Sequence, residues 1–178
     1  SPVCSPTRAS LLTGRYYLRT GVYDTQEGGA LMHPDEETIA EIMKANGYKT
    51  AIFGKWHLGD NYPRRPIDQG FDESLTHHAG AIGIAGDAYE NQLRSKECYF
   101  DPVLYRNEVK FKSEGFCTDI FTDETIDFIR KNQNNPFFVY LAYNAPHTPL
   151  IAPQKYWDMY EYLEFDSTTN AIGHPVKE

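Results

Sequence analysis

The side chains best suited to chemistry fall in three short clusters: Cys4 with Arg8, Lys55 with His57, and His147. In Cys4-Ser5-Pro6-Thr7-Arg8-Ala9-Ser10-Leu11-Leu12-Thr13-Gly14, Pro6 suits a first helical turn, where a missing N–H costs nothing. A cysteine near a helix N-terminus sits where an anion or a polar oxygen nucleophile is favoured. Arg8 lies four positions further on, so in a helix its guanidinium returns toward the same pocket, with a fork of donors for charged oxygens. A capped surface helix with an incidental cysteine would fit the same residues. Lys55-Trp56-His57 and Asn144-Ala145-Pro146-His147-Thr148-Pro149 are polar clusters, and the two prolines restrict the loop that carries His147. Acting alone, such a lysine or histidine would be solvent-exposed or held in a routine structural hydrogen bond.

Each of the last two clusters follows an apolar run. After Pro34-Asp35-Glu36-Glu37-Thr38, the residues Ile39, Ile42 and Met43 step by three and four, which predicts a helix presenting them on one face and stopping at Asn46-Gly47. Tyr48 to Gly54 then reads as a short buried strand that ends at Lys55-Trp56-His57. The pattern recurs: a helix over 118–131 with Phe121, Thr125, Phe128 and Ile129 facing inward, a break at Asn134-Asn135-Pro136, and a run from Phe137 to Tyr143 with the character of a central parallel strand. Two helix-to-strand units thus deliver His57 and His147 to equivalent strand ends, the side on which open α/β sheets bind ligands. The expected fold is α/β, a layered and mostly parallel sheet with flanking helices. Residues 68–101 have poor periodicity and read as loops, an antiparallel element is expected around Val103 to Phe111, and the tail over 158–178 has no clear assignment.

With 178 residues the chain can form one ordinary core, and no second-domain linker or strong repeat is apparent. A formal net charge of -8 argues against a broad nucleic-acid surface but permits a small cationic pocket. No apolar stretch is long enough for a membrane-spanning helix, and the first residues lack the pattern of an export signal. The 13 tyrosines would suit a carbohydrate or aromatic substrate, although most serve structure. Three cysteines allow one pair; Cys98 and Cys117 are the natural partners, and two buried thiols are an equal alternative. His77-His78 lacks a carboxylate spaced to complete a metal set, so a solvent-facing or substrate-loop role is expected. Asp119, Asp123 and Asp127 belong to a helix's polar face.

The Cys4, Pro6, Arg8 spacing resembles the signature of the type I sulfatases, formylglycine-dependent and arylsulfatase-like enzymes of the alkaline phosphatase superfamily. Gly47-Tyr48-Lys49-Thr50-Ala51-Ile52-Phe53-Gly54-Lys55-Trp56-His57 resembles the second signature of that family, and the segment around His147 looks like a third. Asp68-Gln69-Gly70-Phe71-Asp72 is also similar, with Phe71 as a loop anchor and Gly70 as its turn. The resemblance implies that Cys4 is oxidised to formylglycine by a maturation enzyme and that its hydrate is the nucleophile for hydrolysis of a sulfate monoester. It further implies that Arg8 and Lys55 hold sulfate oxygens, that His57 is the base for sulfate release, and that His147 contacts the ester oxygen and assists leaving-group protonation.

The implied substrate is a sulfated small molecule or carbohydrate, and the implied location is periplasmic, secreted or lysosomal. The implied cofactor is calcium or another divalent cation held by the formylglycine at Cys4 together with acidic residues upstream and downstream. Those further ligands are not recognisable here, so the chain is expected to be a partial catalytic domain that is inactive by itself. A phosphate or phosphonate ester hydrolase of the same superfamily is the competing enzymatic expectation. A noncatalytic structural or binding fragment is the non-enzymatic one.

Overall fold

The computed structural model describes residues 3–26, 28–94 and 97–163. The tail assignment over 158–178 therefore lies, beyond residue 163, outside the described residues. Helix α1 (Cys4–Thr13) is followed by α2 (Ile39–Ala45), β1 (Lys49–Lys55), β2 (Glu73–His77), α3 (Tyr89–Gln92), β3 (Val103–Arg106), β4 (Val109–Lys112), α4 (Cys117–Asn132), β5 (Phe137–Ala142) and α5 (Gln154–Asp158). The strands form one sheet in the order β4-β3-β2-β1-β5. Strands β2, β1 and β5 are parallel, while β3 and β4 form the antiparallel hairpin expected around Val103 to Phe111.

Side chains alternate across the sheet and feed two cores. Ala51 and Phe53 of β1 join Leu75, Leu104, Phe121 and Phe128 on one face, with Val139 and Leu141 of β5 packed against them. Ile52 joins Leu12, Ala40, Trp56 and Phe71 on the other, with Phe138 and Tyr140 against that side. Each fully buried aromatic or aliphatic side chain of this kind contributes roughly 1.5–3 kcal/mol.

β5 is the outermost described strand of the sheet, whereas its composition points to a central one. An unbroken apolar run reports that both faces of a strand are covered, as they are here by the two cores, and carries no information about its edges. One inward assignment on the helices, Ile129, fails, and the shared face of Ile39, Ile42 and Met43 is not the one that is fully buried. Ile42 is 44% exposed because Ala40 is the residue turned into the core. The entry to α2 fixes that rotation: Thr38 and Glu41 form a reciprocal cap, Thr38 Oγ1 donates to the Gln69 carbonyl, and Gly70 lies so close that a Cβ there would sit 2.4 Å from the Glu41 nitrogen. On α4, Phe121, Thr125 and Phe128 are buried as expected, but Ile129 at the border of that stripe is 39% exposed.

Gly54 is required where β1 pairs with Ala142 of β5. Its φ is 121°, and a Cβ would lie 2.1 Å from the Ala142 carbonyl oxygen. Phe71 is buried against Trp56 and Phe138, and Gly70 makes its turn at φ 96°, as their sequence suggests. Cys98 and Cys117 are buried free thiols rather than a disulfide; Cys98 Sγ donates to the Ile82 carbonyl, and burial pushes the Cys117 thiol up to about 12.

Candidate active site

Cys4 is the first residue of α1, and Val3 before it contributes no capping side chain. Arg8, one turn on, points back to the carboxyl end of the sheet. Its Nη1 donates to the Lys55 carbonyl at 2.7 Å and to the Tyr140 hydroxyl at 3.2 Å. The helix is therefore tied through Arg8 to both parallel strands that end at the site. Burial lowers the pKa of Arg8, with Tyr140 and Cys4 opposing the shift.

Lys55 closes β1 and is almost fully buried. Desolvation lowers its pKa; Cys4 acts the other way, by charge and by a hydrogen bond, while Arg8 adds to the lowering. Neither Arg8 nor Lys55 pairs with a carboxylate among the described residues. Two cations taken out of water without a counter-ion favour a bound anion.

His57 follows two residues after β1 in a left-handed conformation, φ 60°. The Trp56 and His57 amides donate to the carbonyls of His77 and His78, so this reversal is fastened to the end of β2. Trp56 is the anchor beneath it: it is fully buried, and its Nε1 donates to the carbonyls of Gly59 and Arg64, each at 2.9 Å. His57 Nε2 lies 2.9 Å from the Thr25 carbonyl, which can only accept, so the ring proton sits on Nε2. Nδ1 is then a free lone pair, and it has no hydrogen-bond partner among the described residues. Desolvation foremost, then the Lys55 charge, lowers the His57 pKa to about 4 despite the Thr25 bond. The imidazole is neutral near pH 7 and able to accept a proton.

His147 lies in the loop after β5 and is exposed. Its Nδ1 bonds the Thr148 carbonyl at 2.7 Å, leaving Nε2 outward, while Tyr99 donates to the His147 and Thr148 carbonyls. Cys4, His57 and His147 line one open cavity of about 740 Å³. Arg8 and Lys55 meet beneath its Cys4 wall, so the structure brings all five residues singled out in the sequence to one place.

His77 departs from its expected role. It ends β2 beside Lys55, is fully buried, and has neither ring nitrogen hydrogen-bonded among the described residues; burial first, then Lys55 and Arg8, holds it neutral. An alternating strand pairs Lys55 with His77 on one face, and that parity is visible only once the β1–β2 register is known. Tyr140 and Thr25 were also missed: one acts through strand parity, and the other through a backbone carbonyl that no side-chain pattern can reveal.

The expected cation does not fit the residues around Cys4. Arg8 and Lys55 beside it are cationic, Asp60 is a carboxylate on the wall of the same cavity, and among the described residues no three His, Cys, Asp or Glu side chains gather as a ligand set. Calcium takes six to eight oxygens.

The fold and cavity define a class first: a layered α/β domain that gathers a half-buried arginine, a buried lysine and two histidines around a cysteine at the sheet's carboxyl end. The sulfatase family model matches residues 1–171, and the chain belongs to that family. It is 34% identical over 175 residues to N-acetylgalactosamine-6-sulfatase of Sus scrofa, covering 88% of this chain and 33% of that protein. The human N-acetylgalactosamine-6-sulfatase gives 34% over 174 residues with the same coverage. The chain thus spans about a third of the length of these relatives. Among solved structures it resembles Ps i-CgsB in complex with k-i-k-neocarrahexaose, with TM-score 0.76 and 30% identity, covering 93% of this chain and 40% of the other. It also resembles BT4656 in complex with its substrate D-glucosamine-2-N,6-O-disulfate, with TM-score 0.72 and 25% identity, covering 94% and 30%. No helix among the described residues is long and apolar enough to cross a membrane.

Proposed function

We propose that the protein bearing this chain hydrolyses sulfate monoesters through a formylglycine derived from Cys4. The observation that carries this reading is the pair of half-buried Arg8 and buried Lys55, which meet no carboxylate among the described residues and converge on Cys4. A sulfate ester carries one negative charge spread over three oxygens, which suits a forked guanidinium beside a point-charge ammonium. Attack by one hydroxyl of the aldehyde hydrate, whose proton passes to solvent, forms an oxygen–sulfur bond and breaks the ester oxygen–sulfur bond; the alcohol leaves with a proton from Nε2 of His147 in its imidazolium form, which solvent then reprotonates. His57 Nδ1 then takes the proton of the second hydroxyl; the carbonyl re-forms, sulfate leaves, and water restores the hydrate. An unmodified thiol has no second hydroxyl for that release.

A divalent cation, calcium by family, would need its oxygen ligands from residues other than those described around Cys4. The 178-residue chain alone is accordingly expected to turn over no ester. Of the two structural neighbours, BT4656 is in complex with its substrate D-glucosamine-2-N,6-O-disulfate and Ps i-CgsB with k-i-k-neocarrahexaose, which supports a sulfated carbohydrate as substrate. A maturation enzyme acting on Cys4 in its Pro6, Arg8 setting is the implied partner, and a periplasmic, secreted or lysosomal location accords with the family. The test is sulfate release by the protein at its natural full length from an aryl sulfate and a sulfated monosaccharide, beside a Cys4→Ala variant and with phosphomonoesters offered in parallel. Sulfate release lost in Cys4→Ala is expected. Turnover of the phosphomonoesters alone would assign the site to phosphoryl esters instead.

A further inference from the structure

His78 follows directly on β2, and its imidazole takes no part in the chemistry above. Its carbonyl accepts the His57 amide, and Gly80 beyond it passes so near that a Cβ there would sit 2.8 Å from His57 Cε1. The segment therefore wraps His57 and carries His78 onto the wall of the same cavity as Cys4 and His147.

The His78 ring is held from two sides. It stacks on Tyr105 with ring centroids 4.2 Å apart and planes inclined by 13°. Its Nε2 lies 3.3 Å from Glu108 Oε2, and both side chains are more than nine-tenths buried. Glu108 reaches it from the turn of the β3–β4 hairpin, where Asn107 and Glu108 adopt φ of 45° and 69°. Such two-residue turns favour Asn followed by Gly, so a glutamate with a Cβ is a costly choice at the second position. Asn107 fixes the turn to β2: its Oδ1 accepts from the Ser74 amide at 2.7 Å and its own amide donates to the Ser74 carbonyl at 3.0 Å. A strained turn thus aims a buried carboxylate at one imidazole on the cavity wall.

The 3.3 Å approach falls short of hydrogen-bond geometry, so Glu108 acts by its charge, which favours the ring proton on Nε2 and leaves Nδ1 as the nitrogen that meets the cavity's contents. A hydroxyl is the natural partner for that nitrogen, and the neighbouring wall of Ala79, Gly80, Ala85 and Gly86 leaves room for a ring bearing several hydroxyls. We infer that His78, oriented by Glu108 and Tyr105, is a specificity-determining residue that hydrogen-bonds a hydroxyl of the alcohol portion of the ester, selecting a carbohydrate over a simple phenol. This rests on the sulfate-ester reading of the site.

The experiment uses the protein at its natural full length and two esters, a sulfated monosaccharide and nitrophenyl sulfate. His78→Phe keeps the stacked ring and removes both nitrogens; Glu108→Gln keeps the shape of the orienting side chain and removes its charge. The ratio of kcat/KM for the sugar ester over the aryl ester is expected to fall about ten-fold or more in His78→Phe and in the same direction, by a smaller factor, in Glu108→Gln. An unchanged ratio in both variants, or equal losses on both esters, overturns the assignment and leaves His78 as packing for His57. If His78→Phe fails to fold, Glu108→Gln decides alone by the same ratio. A wild type that releases sulfate from neither ester contradicts the proposed function and this assignment together, whereas turnover of both with a fixed ratio contradicts only the assignment.

Discussion

Acidification should act on this protein through His57 in a way that one substitution isolates. Its imidazole is lowered from 6.5 to about 4, with desolvation the largest cause and Lys55 next. The unfolded chain therefore binds a proton between those two values that the folded chain refuses. The sign follows: this contribution to stability is intact above pH 6.5, declines as the pH falls, and is lost below about 4. A shift of 2.5 pH units corresponds to about 3 kcal/mol, of which about 2 kcal/mol is already gone at pH 5. His57→Gln carries no titrating group and retains an amide able to donate to the Thr25 carbonyl. Denaturant unfolding of wild type and variant between pH 7 and 4, in chloride buffers free of sulfate and phosphate, gives the comparison. Carboxylates are common to both proteins and cancel, as does the more deeply buried His77 apart from the smaller effect that the His57 charge has on it. Wild type should lose about 3 kcal/mol more than the variant over this range. Parallel losses would show that His57 titrates normally and is not the neutral base required at the site.

Two further substitutions probe how the site is assembled. Arg8→Lys keeps a positive charge but loses the fork that reaches the Lys55 carbonyl at 2.7 Å and the Tyr140 hydroxyl at 3.2 Å. Steady-state kinetics should show kcat/KM for a sulfate ester reduced by about 10- to 100-fold with unfolding stability affected far less; unchanged kinetics would remove Arg8 from oxygen binding. Gly54→Ala places a methyl group 2.1 Å from the Ala142 carbonyl at φ 121°, so thermal and denaturant unfolding should register a loss of about 3 kcal/mol or more.

The parts of this molecule legible in the sequence are those that periodicity and punctuation encode. Asn46-Gly47 and Asn134-Asn135-Pro136 marked where two helices hand over to two strands, and the chain does pair those strands as parallel neighbours, β1 with β5. Ile129 was misplaced, and the face of Ile42 is not the buried one, because a helical wheel gives a stripe but not its rotation. Contacts made elsewhere, such as Gly70 against Glu41, set that rotation. Strand β5 has the apolar run of a central strand and is outermost among the described residues, since such composition reports face burial and is silent about edges. At the site, side chains with strong intrinsic chemistry were visible in advance. His77 and Tyr140 became relevant only through strand register, and Thr25 only through its carbonyl. The link from Glu108 to His78 spans 30 residues through a hairpin turn whose left-handed Asn-Glu pair carries no standard turn signal.

The central claim, sulfate-ester hydrolysis by a formylglycine at Cys4, is tested most directly by relating maturation to turnover. Full-length protein produced with graded levels of maturation enzyme gives preparations that differ in the fraction of Cys4 converted, and peptide mass analysis measures that fraction in each. The sulfate-release rate per mole of protein should rise in proportion to it, on a line through the origin, because only the hydrate supplies both hydroxyls of the cycle. Sulfate release from protein whose Cys4 is wholly unmodified, or none from protein wholly converted, would contradict the account.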